Sequence, residues 1–444
     1  MTTEHIYNLF LQHPLISTDT RKIAENSLFF ALKGDKFDAN TFAKQAIEAG
    51  AAYAIIDNPD YRVNEKYILV DDVLTALQDL ARYHRRQLAI PVIGLTGTNG
   101  KTTTKELINA VLSQHFKTQA TQGNLNNHIG VPLTILTINQ SHQMAVIEMG
   151  ANHQKEIELL CSIAQPSHGL ITNVGKAHLE GFGGVEGVKK GKGELYDYLS
   201  TKAGGTAFIN SDNSTLIEMQ QARDLKNVVF YGTGDKNNLV SGTITKNSPL
   251  LTLSWTNNNT GKKHTVKTQL TGAYNLDNIL AAICTGVYFN IPDDEINKGV
   301  EGYQPKNNRS QIVQTTTNTL ICDYYNANPS SMFVAIENIG KLDASRKVLI
   351  LGDMFEMGPD AATEHEAVIK KALDTPVDER IFIGKEFYAL SPKVRKYESP
   401  KVNTLYYLTT EDAINGLKTN PIKNSTILIK GSRGMALERL IELF

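Results

Sequence analysis

The segment VIGLTGTNGKTTTKELINAV, Val92 to Val111, places an apolar run, a glycine-bearing turn and a helix start in that order. The apolar run, reached from Ala89 through Pro91, reads as a strand buried on both faces of a parallel sheet. A junction of this kind is a phosphate cradle, because unpaired backbone N–H groups at a helix N-terminus, with the helix dipole behind them, hold anionic oxygens. Gly97 and Gly100 permit close backbone approach, Lys101 neutralises β/γ-phosphate charge, and Thr102 offers a hydroxyl to a magnesium ion. Thr98, Asn99 and Thr103 complete the candidate nucleotide loop. The spacing departs from the general phosphate-loop pattern: the glycine expected five residues before Gly100 is Leu95, and Gly97 stands in its place.

Reading outward from that turn, the strands MAVIEM and HGLITNV follow, and strand-helix alternation of this sort indicates a parallel sheet covered by helices. Upstream, short apolar runs (SLFFAL, AAYAII, KYILV) alternate with helical stretches, which predicts a small α/β unit. Downstream, Val240 to Gln269 mixes Thr, Ser and Asn with alternating apolar residues, the pattern of an antiparallel insertion. A helix from about Tyr274 to Asn290 comes next, and after the polar stretch GYQPKNNRS the alternation resumes in the manner of a doubly wound domain. At about 150 residues per domain, 444 residues suggest three. The expected divisions are 1–86, 87–308 and 309–444.

Acidic and basic residues nearly cancel at a net charge of -1, so nothing global argues for nucleic acid or an anionic membrane as partner. Cys161, Cys284 and Cys322 have no paired spacing, and the N-terminus lacks a secretory pattern, so a reducing cytoplasm is the expected home.

Two strand ends carry candidate metal chemistry. Glu148 follows MAVI at the edge where a parallel sheet would face the phosphate loop, and a hard oxygen there suits magnesium. His178 follows HGLITNV onto the same edge; a lone histidine is more often structural. Elsewhere, Asn275 near a helix start reads as a cap, Arg309 as a linker arginine, and Ser432 and Arg433 as part of a glycine-bounded turn able to hold a carboxylate.

TGTNGKTT resembles the phosphate loop of the Mur ligase family, which includes folylpolyglutamate synthases, and the later motifs fit that family along nearly the whole chain. The resemblance implies a three-domain α/β enzyme: a substrate domain holding a uridine nucleotide, a central ATPase domain and a C-terminal Rossmann-like domain. It implies ATP and Mg2+ as cofactors, with Glu148 and His178 as metal ligands. Lys192, in KGELY, falls where the family carries a carbamylated lysine. An ammonium about 4 Å from a divalent ion would be repelled by roughly 8 kcal/mol at an effective dielectric of 20, and a carbamate reverses that sign. Carbon dioxide adds only to a neutral amine, so the site must first depress the lysine pKa.

By the same resemblance Asn275 reads adenine, Arg309 reaches the nucleotide phosphates from the domain junction, and Asp323 grips ribose or phosphate. Asn326 and Asn328 face the cleft. Asp19, Thr20, Arg21, Lys33 and Gly34 hold the uridine nucleotide, and Ser432 and Arg433 the carboxylate of the incoming dipeptide. Asp353, Glu356, Gly358 and His365 are expected mainly to organise a loop. GNLNNHIGVP, with Asn124, Asn126 and Asn127 at the muramoyl-peptide end, is similar to the member that joins D-alanyl-D-alanine to UDP-N-acetylmuramoyl-tripeptide. The expected reaction activates a carboxylate as an acyl phosphate in a monomer whose domains close over it, a scheme that an open form without substrates would fit. Another Mur-type ligase, or a nucleotide-switched binding protein, stays open as an alternative.

Overall fold

The computed structural model describes residues 2–234 and 237–444. Three main sheets succeed one another along the chain. The first has four parallel strands in the order Ile16–Ser17, Leu28–Phe30, Tyr53–Ile56 and Tyr67–Leu69. The second has nine strands, and its phosphate-loop strand Val92–Thr96 lies between His168–Ile171 and Met144–Glu148, parallel to both. The third has six strands, with Thr319–Asp323, Thr426–Lys430, Lys347–Gly352, Glu379–Ile383 and Asn403–Tyr407 running parallel.

The Thr/Ser/Asn-rich stretch is antiparallel, as expected, and it lies within the central sheet: Val240–Asn247 pairs in parallel with Asn227–Gly232, and Leu251–Asn257 and Lys262–Lys267 follow it as antiparallel hairpins. Leu251, Leu253 and Trp255 alternate inward beneath helix Leu276–Tyr288, which explains the period-two pattern. After the polar stretch that ends at Ser310 the alternation resumes with an edge strand, Gln311–Gln314, antiparallel to Thr319–Asp323, an element the sequence reading did not pick out.

The first and second units share one core. Leu77, Leu80 and Ala81 of helix Val73–Arg86 pack with Val131, Ile135, Ile157 and Leu160 of the central unit. Arg85, 7% exposed, donates to the carbonyls of Ala164, Leu88, Ile90 and Gln165 from the end of that helix. Burying a guanidinium is tolerable only when its N–H groups are partnered in this way. The third unit has cores of its own, and the hydrogen bonds it makes to the central unit are polar side-chain contacts. The third unit thus meets the central one through polar contacts and not through a shared apolar core, unlike the first. Among the described residues no helix is long and apolar enough to cross a membrane.

Candidate active site

Strand register assembles the site. Leu95 pairs with Glu148 and Thr96 with Ile171, so the phosphate loop leaves the sheet flanked by two strand ends, at the carboxyl edge where open α/β sheets bind ligands. The loop is tightly braced. The N–H groups of Thr98 and Asn99 donate to the backbone and side chain of Asn173, and the Thr172 hydroxyl donates to the Asn99 carbonyl at 2.6 Å. Gly97 has φ +146° and Gly100, which precedes helix Lys101–Leu112, φ +78°. A Cβ at Gly97 would stand 2.0 Å from the Thr172 hydroxyl and 3.0 Å from its backbone nitrogen. Gly97→Ala should therefore lose about 2–4 kcal/mol of stability, since backbone strain and a backbone clash coincide. Urea unfolding checks this; a loss under 0.5 kcal/mol, within the spread of ordinary surface changes, would show that the loop can relax.

A cavity of about 930 Å³ opens over this loop. Thr98, Asn99, Gly100, Lys101 and Thr103 line it together with Glu148, His178, Asn275, Arg309 and Asp323, and Asn124, Asn126, Asn127, Asn326 and Asn328 join them. Residues more than two hundred positions apart in sequence thus meet around one space. Lys101 folds back on its own loop, donating to the carbonyls of Gly97 at 2.7 Å and Thr98 at 3.0 Å. Burial pulls its pKa down to about 8.

Glu148 is 1% exposed. Its Oε1 accepts from Asn126 Nδ2 at 2.8 Å, and its Oε2 is buried with no hydrogen-bond partner. An orphaned carboxylate oxygen at a cavity wall is costly unless a cation sits there, so the donor chemistry fits a hard divalent ion. His178 sits at φ +51° with Nδ1 2.6 Å from Glu356 Oε2. Burial, outweighing the Glu356 carboxylate, lowers its pKa, which favours a neutral ring. A neutral ring donating Nδ1–H to Glu356 keeps its lone pair on Nε2, the tautomer a metal ligand needs. Among the described residues no three His, Cys, Asp or Glu side chains already converge as a ready-made metal cluster.

Lys192 is 2% exposed and stands one layer behind the cavity wall. Its Nζ donates to the Ala151 carbonyl at 3.2 Å and lies 5.1 Å from the centre of the Phe182 ring. Burial first, and the charge of Lys101 second, hold its pKa down to about 7. A neutral amine is thereby accessible near physiological pH.

Several candidate residues are placed differently from their expected roles. Thr102 is buried, and Thr103 lines the cavity in its stead, because successive side chains diverge on a helix. Asn275 reaches the cavity but commits its side chain inward, donating to the Thr271 carbonyl and accepting from Asn278. Asn127 caps helix Gly130–Leu136 through Ile129 and Gly130 N–H groups, and Asn126 holds Glu148. Asn326 accepts from its neighbour Ala327, and Asp323 accepts from Lys430 Nζ at 2.7 Å and from the Ser310 N–H. Ser432 and Arg433 lie off the cavity: the Ser432 hydroxyl accepts from Phe355 N–H, while the Arg433 guanidinium stands 5.3 Å from the Tyr325 ring.

Asp19, Thr20, Arg21, Lys33 and Gly34 are also outside this cavity. Asp19 pairs with Arg21 at 2.7 Å and Lys33 with Asp57 at 2.8 Å, both within the first unit. Asp353 and His365 do organise their loop, accepting from Glu386, Phe387 and Met354 N–H groups. Glu356 instead faces the cavity as the partner of His178, at φ +61°.

The third unit is closed onto the loop. Asn99 Nδ2 donates to the Ser330 hydroxyl and its Oδ1 accepts from Asn328 Nδ2, each at 2.8 Å. Lys176 pairs with Glu364 at 2.8 Å alongside the His178–Glu356 contact. Sequence reading missed Asn173, which braces the loop; Tyr325, over whose ring the Arg309 guanidinium stacks at 4.0 Å; and Lys430. Only the sheet register could have pointed to Lys430, since it stands directly opposite Asp323.

A phosphate loop at a sheet's carboxyl edge, beside a carboxylate with one unpartnered oxygen and in a cleft shared by two units, defines a nucleotide-dependent enzyme. Residues 14–85 match the Mur ligase family catalytic domain, 95–286 the Mur ligase middle domain and 308–433 the Mur ligase glutamate ligase domain. The chain is 36% identical over 434 residues to UDP-N-acetylmuramoyl-tripeptide--D-alanyl-D-alanine ligase of Bacillus subtilis, covering 96% of this chain and 92% of that protein. Against the Escherichia coli ligase of the same name it is 34% identical with the same coverage. In structure it is similar to MurF from Acinetobacter baumannii, with TM-score 0.85, 30% identity and 96% and 92% of the two chains covered. The chain belongs to the Mur ligase family, and it is a ligase.

Proposed function

We propose that the protein joins D-alanyl-D-alanine to UDP-N-acetylmuramoyl-tripeptide at the expense of ATP, completing the pentapeptide precursor of peptidoglycan in the cytoplasm as a monomer. The reading is carried by one arrangement: a phosphate loop, the orphaned Glu148 carboxylate and Arg309 around one cavity, in a chain similar end to end to ligases of that name. An ADP complex of the Thermotoga maritima MurF ligase, at TM-score 0.82 and 25% identity over 98% of this chain, supports a nucleotide on this loop.

In this reading Lys101 turns from the Gly97 and Thr98 carbonyls to the β/γ-phosphates, while Asn99 holds the third unit closed. Arg309, braced on Tyr325 with its Nε unpartnered, adds positive charge across the cleft. Glu148, His178, a hydroxyl of the first helical turn at Thr102 or Thr103, and Lys192 as its carbamate would hold Mg2+, which when bound neutralises phosphate charge. The terminal carboxylate of the peptide attacks the γ-phosphorus and ADP leaves; the dipeptide amine then attacks the acyl carbon, and phosphate and a proton depart. The chain contributes positioning, charge and the exclusion of water, and no protein nucleophile is required.

Residues 1–86 would take the uridine nucleotide, with Asp19, Thr20, Arg21, Lys33 and Gly34 near it. Residues 87–308 would take ATP and the peptide end at Asn124, and residues 309–444 the dipeptide, with Ser432 and Arg433 as carboxylate partners. Phosphate release with UDP-N-acetylmuramoyl-tripeptide and D-alanyl-D-alanine, each omitted in turn, tests the reading. Strict dependence on both is expected. Turnover indifferent to either would point to a nucleotide switch, and acceptance of a single amino acid in place of the dipeptide to a related ligase.

A further inference from the structure

Glu106 lies outside the catalytic cavity, on the helix that the phosphate loop opens, five residues past Lys101. Its carboxylate binds the chain segment that crosses into the third unit. Oε2 accepts from the Tyr303 phenol at 2.7 Å, Oε1 accepts from Asn307 Nδ2 at 3.0 Å, and the buried Lys105 ammonium stands 3.7 Å from Oε1. Burial, then the Glu106 charge, raises the Tyr303 pKa, so the phenol stays a donor. Lys105 is itself fixed to the Thr121 carbonyl at 2.6 Å.

The segment so held is short and conformationally committed. Helix Asp293–Gly302 ends just before Tyr303, and Asn308 and Ser310, on either side of Arg309, adopt φ +58° and +52°. The Arg309 guanidinium then reaches the cavity against Tyr325. A two-point grip at Tyr303 and Asn307 leaves one residue between the anchor and Arg309. The rigid helix therefore carries the phosphate loop at its start and the crossover one and a half turns on.

We propose that Glu106 is a positioning residue that fixes the interdomain crossover to the phosphate-loop helix and so sets the reach of Arg309 toward the nucleotide. The inference rests on the nucleotide reading of the cavity and adds a part to it. A misplacement of about 1 Å in a charged group of this kind costs on the order of a hundredfold in rate.

A double-mutant cycle on binding of a nonhydrolysable ATP analogue, read by calorimetry, tests it. Glu106→Ala and Arg309→Ala should each weaken binding about five- to twentyfold, and the double variant no more than Arg309→Ala alone, because both remove one interaction. Glu106→Gln should bind within threefold of wild type: its carbonyl can still accept from Tyr303, and Asn307, whose Oδ1 is buried and unpartnered, can turn to accept from the new amide. Additive losses in the double variant, or Glu106→Ala indistinguishable from wild type, overturn the proposal. Failure of wild type itself to bind the analogue overturns the nucleotide reading instead. Equal thermal melting of Glu106→Ala and Glu106→Gln would exclude a general folding defect as the source of the difference; a lower melting point for Glu106→Ala with additive binding losses counts against the proposal.

Discussion

Replacing Lys192 by Met should lower turnover by about two to three orders of magnitude while making the protein more heat-stable, two effects of opposite sign from one side chain. The Lys192 ammonium is buried with one carbonyl and one ring face for company, so the charged form is poorly solvated. Its proton is held near the ordinary value of 10.5 in the unfolded chain and at about 7 in the folded one. Between those values the unfolded chain carries the extra proton, so stability rises with pH across that interval, and the penalty is fully present below 7. Met fills similar volume without that penalty. Its stabilisation, a few degrees in melting temperature, should be greatest below pH 7 and shrink as the pH rises toward 10.5.

The loss of turnover follows from the other face of the same chemistry. In the proposed reading the neutral amine would add carbon dioxide, forming a C–N bond and releasing a proton, and the carbamate would supply a further anion to the cation that Glu148 is proposed to hold. Lys192→Ala, which leaves space, should recover part of its activity in short carboxylates, whereas Lys192→Met should not. Carbon-13 NMR of wild type in labelled bicarbonate should show a carbamate signal that both variants lack. Turnover of Lys192→Ala like wild type, or a melting point for Lys192→Met below wild type at pH 6, would sink this account.

How far the sequence carried can be judged element by element. The phosphate loop was legible because its constraint is local: two glycines at positive φ, a lysine and a helix start are consecutive residues with one compatible geometry. Glu148 was legible from the alternation of strands, since a residue ending a strand beside the loop strand has to face the loop. His178 was legible only as a polar residue following the strand HGLITNV, which resemblance then singled out, and Lys192 was reached by family resemblance alone. Asn126 and Glu356 show the limit, for the sequence reading set one at the peptide end and the other in a loop and gave neither its hydrogen-bond partner. Their partners, Glu148 and His178, come from other strands and another unit, and the pairing is a property of tertiary packing. The shared core around Leu77 and Ile157 was hidden for the same reason: a helix pattern shows which face is apolar but not what covers it. The edge strand Gln311–Gln314 has no apolar alternation strong enough to separate it from a linker.

Glu148→Gln should abolish the divalent-ion dependence of nucleotide binding and reduce turnover by roughly a thousandfold. The two side chains have nearly the same shape, and the glutamine carbonyl can accept from Asn126 Nδ2 as Oε1 does. The oxygen that has no partner, Oε2, becomes an amide nitrogen that cannot ligate a cation, and the negative charge is gone. Glu148 is also the group that raises the proton affinity of Lys101 against the burial that lowers it. Removing it lowers the Lys101 pKa below about 8, so the variant should need a lower pH to keep its phosphate-binding ammonium charged. In wild type, calorimetry should show nucleotide affinity rising with Mg2+; in the variant the two titrations should coincide. If the variant keeps its Mg2+ response and turns over within tenfold of wild type, the cation is held elsewhere, and the unpartnered oxygen at the end of Met144–Glu148 serves some other purpose.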